Sequence, residues 1–554
     1  MFSDAKDVPD GSDLEADVCI IGAGPAGSTL AMELLGAGLR VLLLESGNFE
    51  DDATRDDLSA PASAFQYGTA QRLTNVQRFG GNANAWNIRT PESTACVRFA
   101  AYADADFEPR ADLGDGEWPL RTADLSGAAQ RACALWKIAP DGFTPQTSDD
   151  PGQSLLDLGP ALTNAAYQFP EAATVTKRFR DAFGGSSDIS VLLNAMVTEL
   201  EFDGARAVRA RVSSRPGHGF SVSAGRFVIA AGALNACKLL FNSRMADGIT
   251  PGNRHDVLGR YLMDHPSING GVLTPSDPSI FDRTARYDVR RGEPAQRMAH
   301  LRLSDERLRE GGVLALACQL FPRDASYRWD SEISDREHAA AEAALAVRRR
   351  VEGGDLPRMA DVATTIAASD ILAGHILRRA ITPWSSMRKG GWSQRAGASR
   401  RYSVFEVIQS VEQAPHRDNR ILPSNETDAF GHQRITLDWR WHEADQQKTI
   451  AAQQAFEHAV ARSGLGRIDH ARPEGRIRVV STSSHHHIGG LRMGRDRETS
   501  VTDANCRIHG TENLYVAGAG LFTTGSYANP TFLIAVLAVR LAGHLANRGA
   551  GAHS

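Results

Sequence analysis

Three adjacent histidines, His485, His486 and His487, stand in the run Ser484-His-His-His-Ile-Gly-Gly-Leu-Arg-Met-Gly494 near the carboxyl end of the chain. Imidazole titrates near neutrality, so one of them can take the proton of an alcohol during its oxidation. A metal is the competing reading of such a cluster. Sequence neighbours rarely converge on one ion, however, and the separated spacings of common zinc motifs are missing, so no metal is expected. The preferred reading is one catalytic imidazole with two structural neighbours. A second polar run, Thr523-Thr-Gly-Ser-Tyr-Ala-Asn-Pro-Thr-Phe-Leu533, follows. Asn529 before Pro530 stands where a helix starts, and a cap would explain the asparagine alone but not the whole run.

The element that would bring a partner molecule to these side chains lies at the other end. Residues 18–21 are a short apolar run of the kind that makes a buried parallel strand. Gly22, Gly24 and Gly27 fit G-x-G-x-x-G around Pro25 and Ala26. Such glycines allow a tight turn, close approach of backbone to a pyrophosphate, and close packing of helix on strand. A helix is expected over residues 28–35, its amino-terminal amides facing the phosphates. A second strand over 40–44 ends at Glu45, placed to accept hydrogen bonds from an adenosine ribose, with Ser46 beside it. The motif specifies a dinucleotide without separating FAD from NAD.

Further along, Arg78-Phe-Gly-Gly-Asn-Ala-Asn-Ala-Trp86-Asn puts Gly80 and Gly81 beside Asn82, Asn84, Ala85 and Trp86. This is a close-approach loop that could meet a flat polar ring, although an ordinary glycine turn with a packed tryptophan explains it about as well. A capped helix is expected from Thr122 to about 135, irregular surface over 140–170, and two strands within 189–212 joined at Asp203-Gly204. Residues 227–233 read as a buried strand with a glycine turn at Ala231-Gly232, followed by a helix over 235–241. The middle alternates in strand fashion over 270–320, with a clear strand over 314–321. Helices are expected over 337–350 and 362–380, a strand over 402–412, a hairpin-like return over 428–441 and a long amphipathic helix over 445–463. Residues 1–12 read as a disordered polar lead-in.

The chain has 554 residues, 42% hydrophobic and 23% charged, the composition of an ordinary globular protein with room for two or three domains. A net charge of −5 gives no basic footprint for nucleic acid. No apolar run reaches membrane-spanning length, since residues 532–542 are broken by Arg540. Six scattered cysteines without a C-x-x-C pair read as buried thiols, and with no secretory signal visible the expected location is cytoplasmic.

Taken together, these segments resemble the glucose–methanol–choline (GMC) family of FAD-dependent alcohol oxidoreductases. The resemblance runs from the Gly22 fingerprint through the Gly80-Gly81 loop, the 227–241 segment and Gly259-Arg-Tyr-Leu-Met-Asp-His265 to the carboxyl-terminal third. The family's His-x-x-Gly-Thr-x-Arg-Met-Gly signature aligns with His486 to Gly494, with Gly490 where Thr is usual. Gly518-Ala-Gly520 and Ala528-Asn-Pro-Thr531 are most similar to the pyranose oxidase and glycoside 3-oxidase branch. The resemblance implies an α/β fold, with a Rossmann-like, discontinuous FAD-binding domain over 13–90, 190–265 and 484–547. A substrate-binding α+β domain with a large, mostly antiparallel sheet would take 91–189 and 266–483. Beyond the fingerprint and the Gly80 loop, the cofactor would meet Val197, Ala231, Gly232, Gly518, Ala519, Asn529, Pro530 and Thr531.

The implied activity is oxidation of a secondary hydroxyl, at C2 or C3 of a pyranose sugar or glycoside, to a ketone. His486 would serve as base, Asn529 would position the hydroxyl, and hydride would pass to flavin N5. Oxygen or a quinone-type acceptor would take the electrons. Fungal pyranose oxidases attach FAD to a histidine just before the loop tryptophan. Ala85 stands there in this chain, so non-covalent FAD is expected. Glu406, Gln409 and Gln413, at strand spacing, and His487 are candidates for binding substrate. The alternatives are oxidation of a non-sugar alcohol, and a non-redox member of the same fold, either a lyase or a silent binding module.

Overall fold

The two apolar runs flanking the glycine loop are strands buried on both faces. Asp13–Ile21 and Val41–Leu44 pair in parallel, from Val18 with Val41 to Ile21 with Leu44. Cys19, Ile20 and Leu43 are fully buried, as a parallel strand covered by helices requires. The computed structural model describes the chain outside residues 66–74, 91–92, 94, 115, 146–151, 292–293, 326, 328–338, 341–342, 345, 349, 352–355, 370–389, 395, 470–474, 482–483 and 551–554. Most of the helix expected over 362–380 and part of that over 337–350 lie outside the described residues. What is described of the former is the helix Met359–Ala367.

An eight-stranded sheet forms around the dinucleotide unit. Its order is Phe2–Asp4, Ile189–Leu193, Val41–Leu44, Asp13–Ile21, His218–Ile229, Arg206–Arg215 and Met196–Asp203, with Leu514–Val516 also paired to His218–Ile229. The pairs among the first five strands are parallel and the last two are antiparallel. The helix after the glycine loop, Pro25–Leu34, begins three residues before the expected start. Proline at the first helical position lacks only an amide that no helix would use, and its fixed φ suits the turn. This helix packs against Thr531–Ala550.

The second sheet is antiparallel throughout. Gly466–Asp469, Ser267–Pro275, Val404–Val411, Leu316–Arg323, Arg297–Leu303 and Leu162–Gln168 follow one another, and Val479–Ser481 pairs with Ser267–Pro275 as well. The helix Glu443–Arg462 lies against the Gly466–Asp469 strand. A hairpin of Arg420–Thr427 and Gln433–Asp438 pairs with Ser63–Phe65. The buried Lys238–Asp428 ion pair, 2.6 Å, ties that hairpin to the Gly232–Phe241 helix.

The amino terminus departs from the sequence expectation. Residues 1–12 are no loose lead-in: Phe2–Asp4 pairs in parallel with Val191–Leu193. The Met1 amino group donates to the Phe183 and Ile189 carbonyls, and the Phe2 ring meets Phe49 and Phe79 at 5.3 and 5.6 Å. One aromatic ring in a distant cluster holds a segment whose local composition is polar.

Candidate active site

Three helix amino termini open on one cavity of about 700 Å³. They belong to Pro25–Leu34, Gly232–Phe241 and Thr531–Ala550, through Gly24 to Ala26, Ala231 to Ala233 and Asn529 to Thr531. The first has no side-chain cap, so the free amides of its first turn are left for another partner. The loop glycines permit this shape. A Cβ at Gly27 would lie 1.9 Å from the Gly22 carbonyl oxygen, whereas one at Gly24 meets nothing closer than Gly81 Cα at 3.9 Å and would project into the cavity.

Polar side chains gather where the second strand ends. Glu45 accepts from the Ala23 amide at 2.9 Å and the Gly47 amide at 3.0 Å. A carboxylate offers about four lone-pair sites, so acceptor capacity remains for a ribose. Ser46 donates to Gln77 at 2.6 Å, and the Asn75 and Asn235 amides meet at 3.2 Å. The Gly80 amide donates to the Ala23 carbonyl, and Asn84 donates to the Phe79 and Gly81 carbonyls. These bonds seat the short helix Gly81–Ala85 beside the glycine loop.

The cavity reaches the carboxyl-terminal chemistry. His486 Nε2 lies 3.1 Å from Asn529 Nδ2, and both side chains line the wall. On its other side, His486 Nδ1 lies 2.8 Å from His265 Nδ1, with the rings edge to face at 82°. His265 Nε2 reaches the Gly525 carbonyl at 3.0 Å, which also accepts from the Tyr102 hydroxyl at 2.9 Å. Asp264 organises the histidine run: one carboxylate oxygen accepts from the amides of His265, Ser484 and His486 at 2.6, 3.1 and 3.2 Å. Segments 259–265 and 484–490 lie side by side, and a Cβ at Gly489 (φ +83°) would strike the Tyr261 carbonyl oxygen at 2.1 Å. The polar run before Asn529 is buried and tied down. Trp118 donates to Thr524 at 2.8 Å, and Glu412 accepts from the Ser526 amide at 3.1 Å.

Burial sets the protonation of this end. It pushes His486 down to about 3, helped by the neighbouring His265 and Arg98 and opposed by Asp264. His487 falls to about 4 for the same first reason, and burial also lowers His265 against the pull of Asp264. All are neutral imidazoles at neutral pH. The Arg98 guanidinium also lines the cavity. It packs on the Tyr167 ring, 5.1 Å from its centroid, and no carboxylate pairs with it among the described residues.

Of the residues the sequence singles out, the cavity wall carries Gly22, Gly24, Pro25, Ala26, Glu45, Ser46, Gly81, Asn82, Ala85, Trp86, Ala231, Gly232, Gly518, Ala519, Asn529, Pro530, Thr531, His486 and His487. Gly27, Gly80 and Asn84 stand behind it. Val197 lines a small adjoining cavity that shares Gly22, Ser46, Gln77, Ala231 and Asn235 with the large one. Three substrate candidates are corrected. Gln409 is fully buried, bonded to Cys318 and Gln453 beneath the Glu443–Arg462 helix. Gln413 is fully buried and holds the Asp264 amide, the Trp439 indole and the Arg440 carbonyl. Glu406 is paired with Arg323. None of the three lines the cavity: Gln409 is covered by the Glu443–Arg462 helix, Gln413 is spent on neighbouring backbone and indole groups, and Glu406 on Arg323. Sequence reasoning gave no role to Asp264, His265, Asn75, Gln77, Asn235 or Arg98. Asp264 and His265 carried a signal, as the end of the segment quoted for the family resemblance, and Asn235 lies in the 227–241 segment quoted with it.

The parts of FAD find fitting partners here: helix amides for a pyrophosphate, Glu45 for a ribose, and the Gly81–Ala85 turn with Trp86 for a ring edge. Comparison with known proteins agrees. A family model described as FAD binding domain matches residues 15–59, and one described as GMC oxidoreductase matches 415–538. The fructose dehydrogenase large subunit of Gluconobacter japonicus is 23% identical over 96% of this chain and 98% of its own. The 2-methyl-1,2-propanediol dehydrogenase of Mycolicibacterium austroafricanum is 27% identical over 96% of each. Among solved structures, pyridoxine 4-oxidase from Mesorbium loti has the same fold at a TM-score of 0.50 and 15% identity, covering 95% of this chain and 98% of its own.

Proposed function

We infer that this chain, a member of the GMC oxidoreductase family and an FAD-dependent enzyme acting on CH–OH donors, oxidises a secondary hydroxyl of a pyranose sugar or glycoside, at C2 or C3, to the ketone. The observation that carries this reading is the His486–Asn529 pair, which opens on the same cavity as the glycine loop and the three helix termini.

Bound FAD supplies the acceptor for the hydride that leaves the carbinol carbon. His486 Nε2 takes the hydroxyl proton, its lowered pKa leaving the lone pair available at neutral pH. Asn529 Nδ2 donates to the same oxygen and fixes its position as negative charge develops there. Asp264, through the His486 amide, and Glu412, through the Ser526 amide, hold the two residues in register. The cavity wall, with His487 and Arg98 beside the pair, presents further polar groups to a polyol. Electrons then leave to oxygen or to a quinone-type acceptor.

The sugar class is supported by the likeness of Gly518-Ala-Gly520 and Ala528-Asn-Pro-Thr531 to the sugar-oxidising branch and by a relative named for fructose. A second reading, oxidation of a non-sugar alcohol, is favoured by the relative named for 2-methyl-1,2-propanediol. Anaerobic bleaching of the flavin absorbance separates them. Glucose or its glycosides should bleach the enzyme faster than simple diols or aliphatic alcohols, and the opposite order would transfer the assignment to the second reading.

A further inference from the structure

The hydrogen bonds around His265 run in a fixed direction. A carbonyl oxygen can only accept, so the 3.0 Å contact between His265 Nε2 and the Gly525 oxygen requires the proton of that imidazole on Nε2. Burial keeps His265 neutral, so its Nδ1 is a bare acceptor. His486 Nδ1, 2.8 Å away, must then be the donor. With its own proton committed there, neutral His486 has a lone pair on Nε2, the atom that faces the Asn529 amide nitrogen at 3.1 Å. The reverse arrangement would set two lone pairs against each other at Gly525 and two N–H groups against each other at Asn529.

We propose that His265 is a positioning residue that holds His486 in the tautomer protonated on Nδ1 and bare on Nε2, relaying the fixed acceptor of the Gly525 carbonyl through two imidazole rings. The inference rests on the reading of His486 as the base only for its kinetic consequence, since the tautomer itself is a property of the resting enzyme. An imidazole free to exchange tautomers would spend part of its time with Nε2–H facing the substrate hydroxyl, where it cannot accept a proton. Residues that orient a catalytic imidazole from behind work in this way in unrelated enzymes. Here the orienting group is a second neutral imidazole instead of a carboxylate. It fixes the proton without placing a negative charge against the base, which keeps the pKa of His486 low. Asp264 is close by and accepts from the backbone amides of His265, Ser484 and His486.

Three variants of the FAD-loaded full chain separate the relay from simple anchoring of the Gly525 turn. In His265→Asn the side-chain oxygen takes the place of Nδ1 and can still accept from His486, while the contact to Gly525 is lost. In His265→Gln the amide nitrogen takes the place of Nε2 and can still hold Gly525, while the acceptor is lost. His265→Leu loses both. Nitrogen-15 spectra of histidine-labelled enzyme report the tautomer, with His486 assigned by its disappearance in His486→Gln. The expected result is Nδ1–H on His486 in the wild type and His265→Asn, and a mixed or reversed tautomer in His265→Gln and His265→Leu. Anaerobic reduction by glucose should fall about 10²-fold in the latter two and stay within about 10-fold of wild type in His265→Asn, with FAD content and glucose affinity little changed. Nε2–H on His486 in the wild type would overturn the relay. So would rates that fall while the tautomer stays fixed, or an active His265→Gln beside an inactive His265→Asn. If glucose does not reduce the wild type, the sugar reading falls and the nitrogen spectra alone decide the relay. If His486→Gln still reduces FAD, the base assignment falls separately.

Discussion

Asn529 Nδ2 lies 3.1 Å from His486 Nε2, although 43 residues separate them in the chain. In the proposed mechanism Asn529 is the partner of the base, its amide nitrogen turned to His486. A substrate hydroxyl placed between them meets one acceptor and one donor. Replacing the donor removes a hydrogen bond that strengthens as the oxygen gains charge, worth about 1.5–3 kcal/mol. Asn529→Ala should keep FAD and slow flavin reduction by about 10- to 100-fold, and Asn529→His should recover part of the loss. Undiminished reduction in Asn529→Ala, measured by anaerobic stopped flow, would remove the residue from the mechanism.

The histidines make the fold sensitive to acid. In the unfolded chain each imidazole takes a proton as pH falls through about 6.5. In the folded chain His486 and His487 resist until about 3 and 4, and His265 and His300 are likewise lowered by burial. Between those limits the unfolded state binds more protons, so stability is full above about 6.5 and declines as pH drops below it. Thermal midpoints should fall steadily from pH 7 to 4, less steeply in His487→Gln. The flavin reduction rate of intact enzyme should stay flat from about pH 8 to 5, because His486 remains unprotonated. A rate that drops with an apparent pKa near 6.5 would show that the base is not held neutral by burial.

Glu412 couples stability to the site. Its carboxylate is fully buried, meets Arg110 at 2.6 Å, and accepts from the amides of Ser526 and Ala315. Removing one partner of a buried ion pair leaves an uncompensated charge and costs about 3–5 kcal/mol. Burial and the charge of Glu412 already raise Asp106 to about 6. Arg110→Met should therefore lower the denaturation midpoint and loosen the turn before Asn529, and the double variant Arg110→Met with Glu412→Gln should recover part of the stability. Equal stability of the single variant and the wild type in chemical denaturation would mean that the pair is dispensable.

How much of this was legible along the chain depends on how local each feature is. Gly22 to Glu45 could be read because strand, turn, helix and acid follow one another within one supersecondary unit. His486 and Asn529 could be named only through family resemblance, since nothing near either residue announces the other. His265 sits 221 residues from His486, and Glu412 is 302 from Arg110, so their pairing exists only in the fold. The place of Gln409 is hidden for a different reason. Alternation gives the face of a strand but not what covers it, and Gln453 of the Glu443–Arg462 helix covers that one. The amino-terminal strand escaped because three polar-flanked residues gain their order from a distant ring cluster.

The cofactor should come away from the protein. Ala85, on the cavity wall, offers no atom for a bond to the isoalloxazine. Acid precipitation of holoenzyme should give a colourless pellet and a yellow supernatant. A yellow pellet would point to another residue of the wall, with Cys96, His485 and His487 the first to replace by mutation.

The proposed role of His486 as the base that takes the proton of a sugar hydroxyl is decided by anaerobic mixing of FAD-loaded enzyme with glucose and with a methyl glucoside, wild type beside His486→Ala. The wild-type flavin should bleach, and His486→Ala should lose about 10²-fold or more at unchanged FAD content, with smaller effects in His485→Ala and His487→Ala. Wild-type rates in His486→Ala, or a silent His487→Ala beside an active His486→Ala, would contradict it.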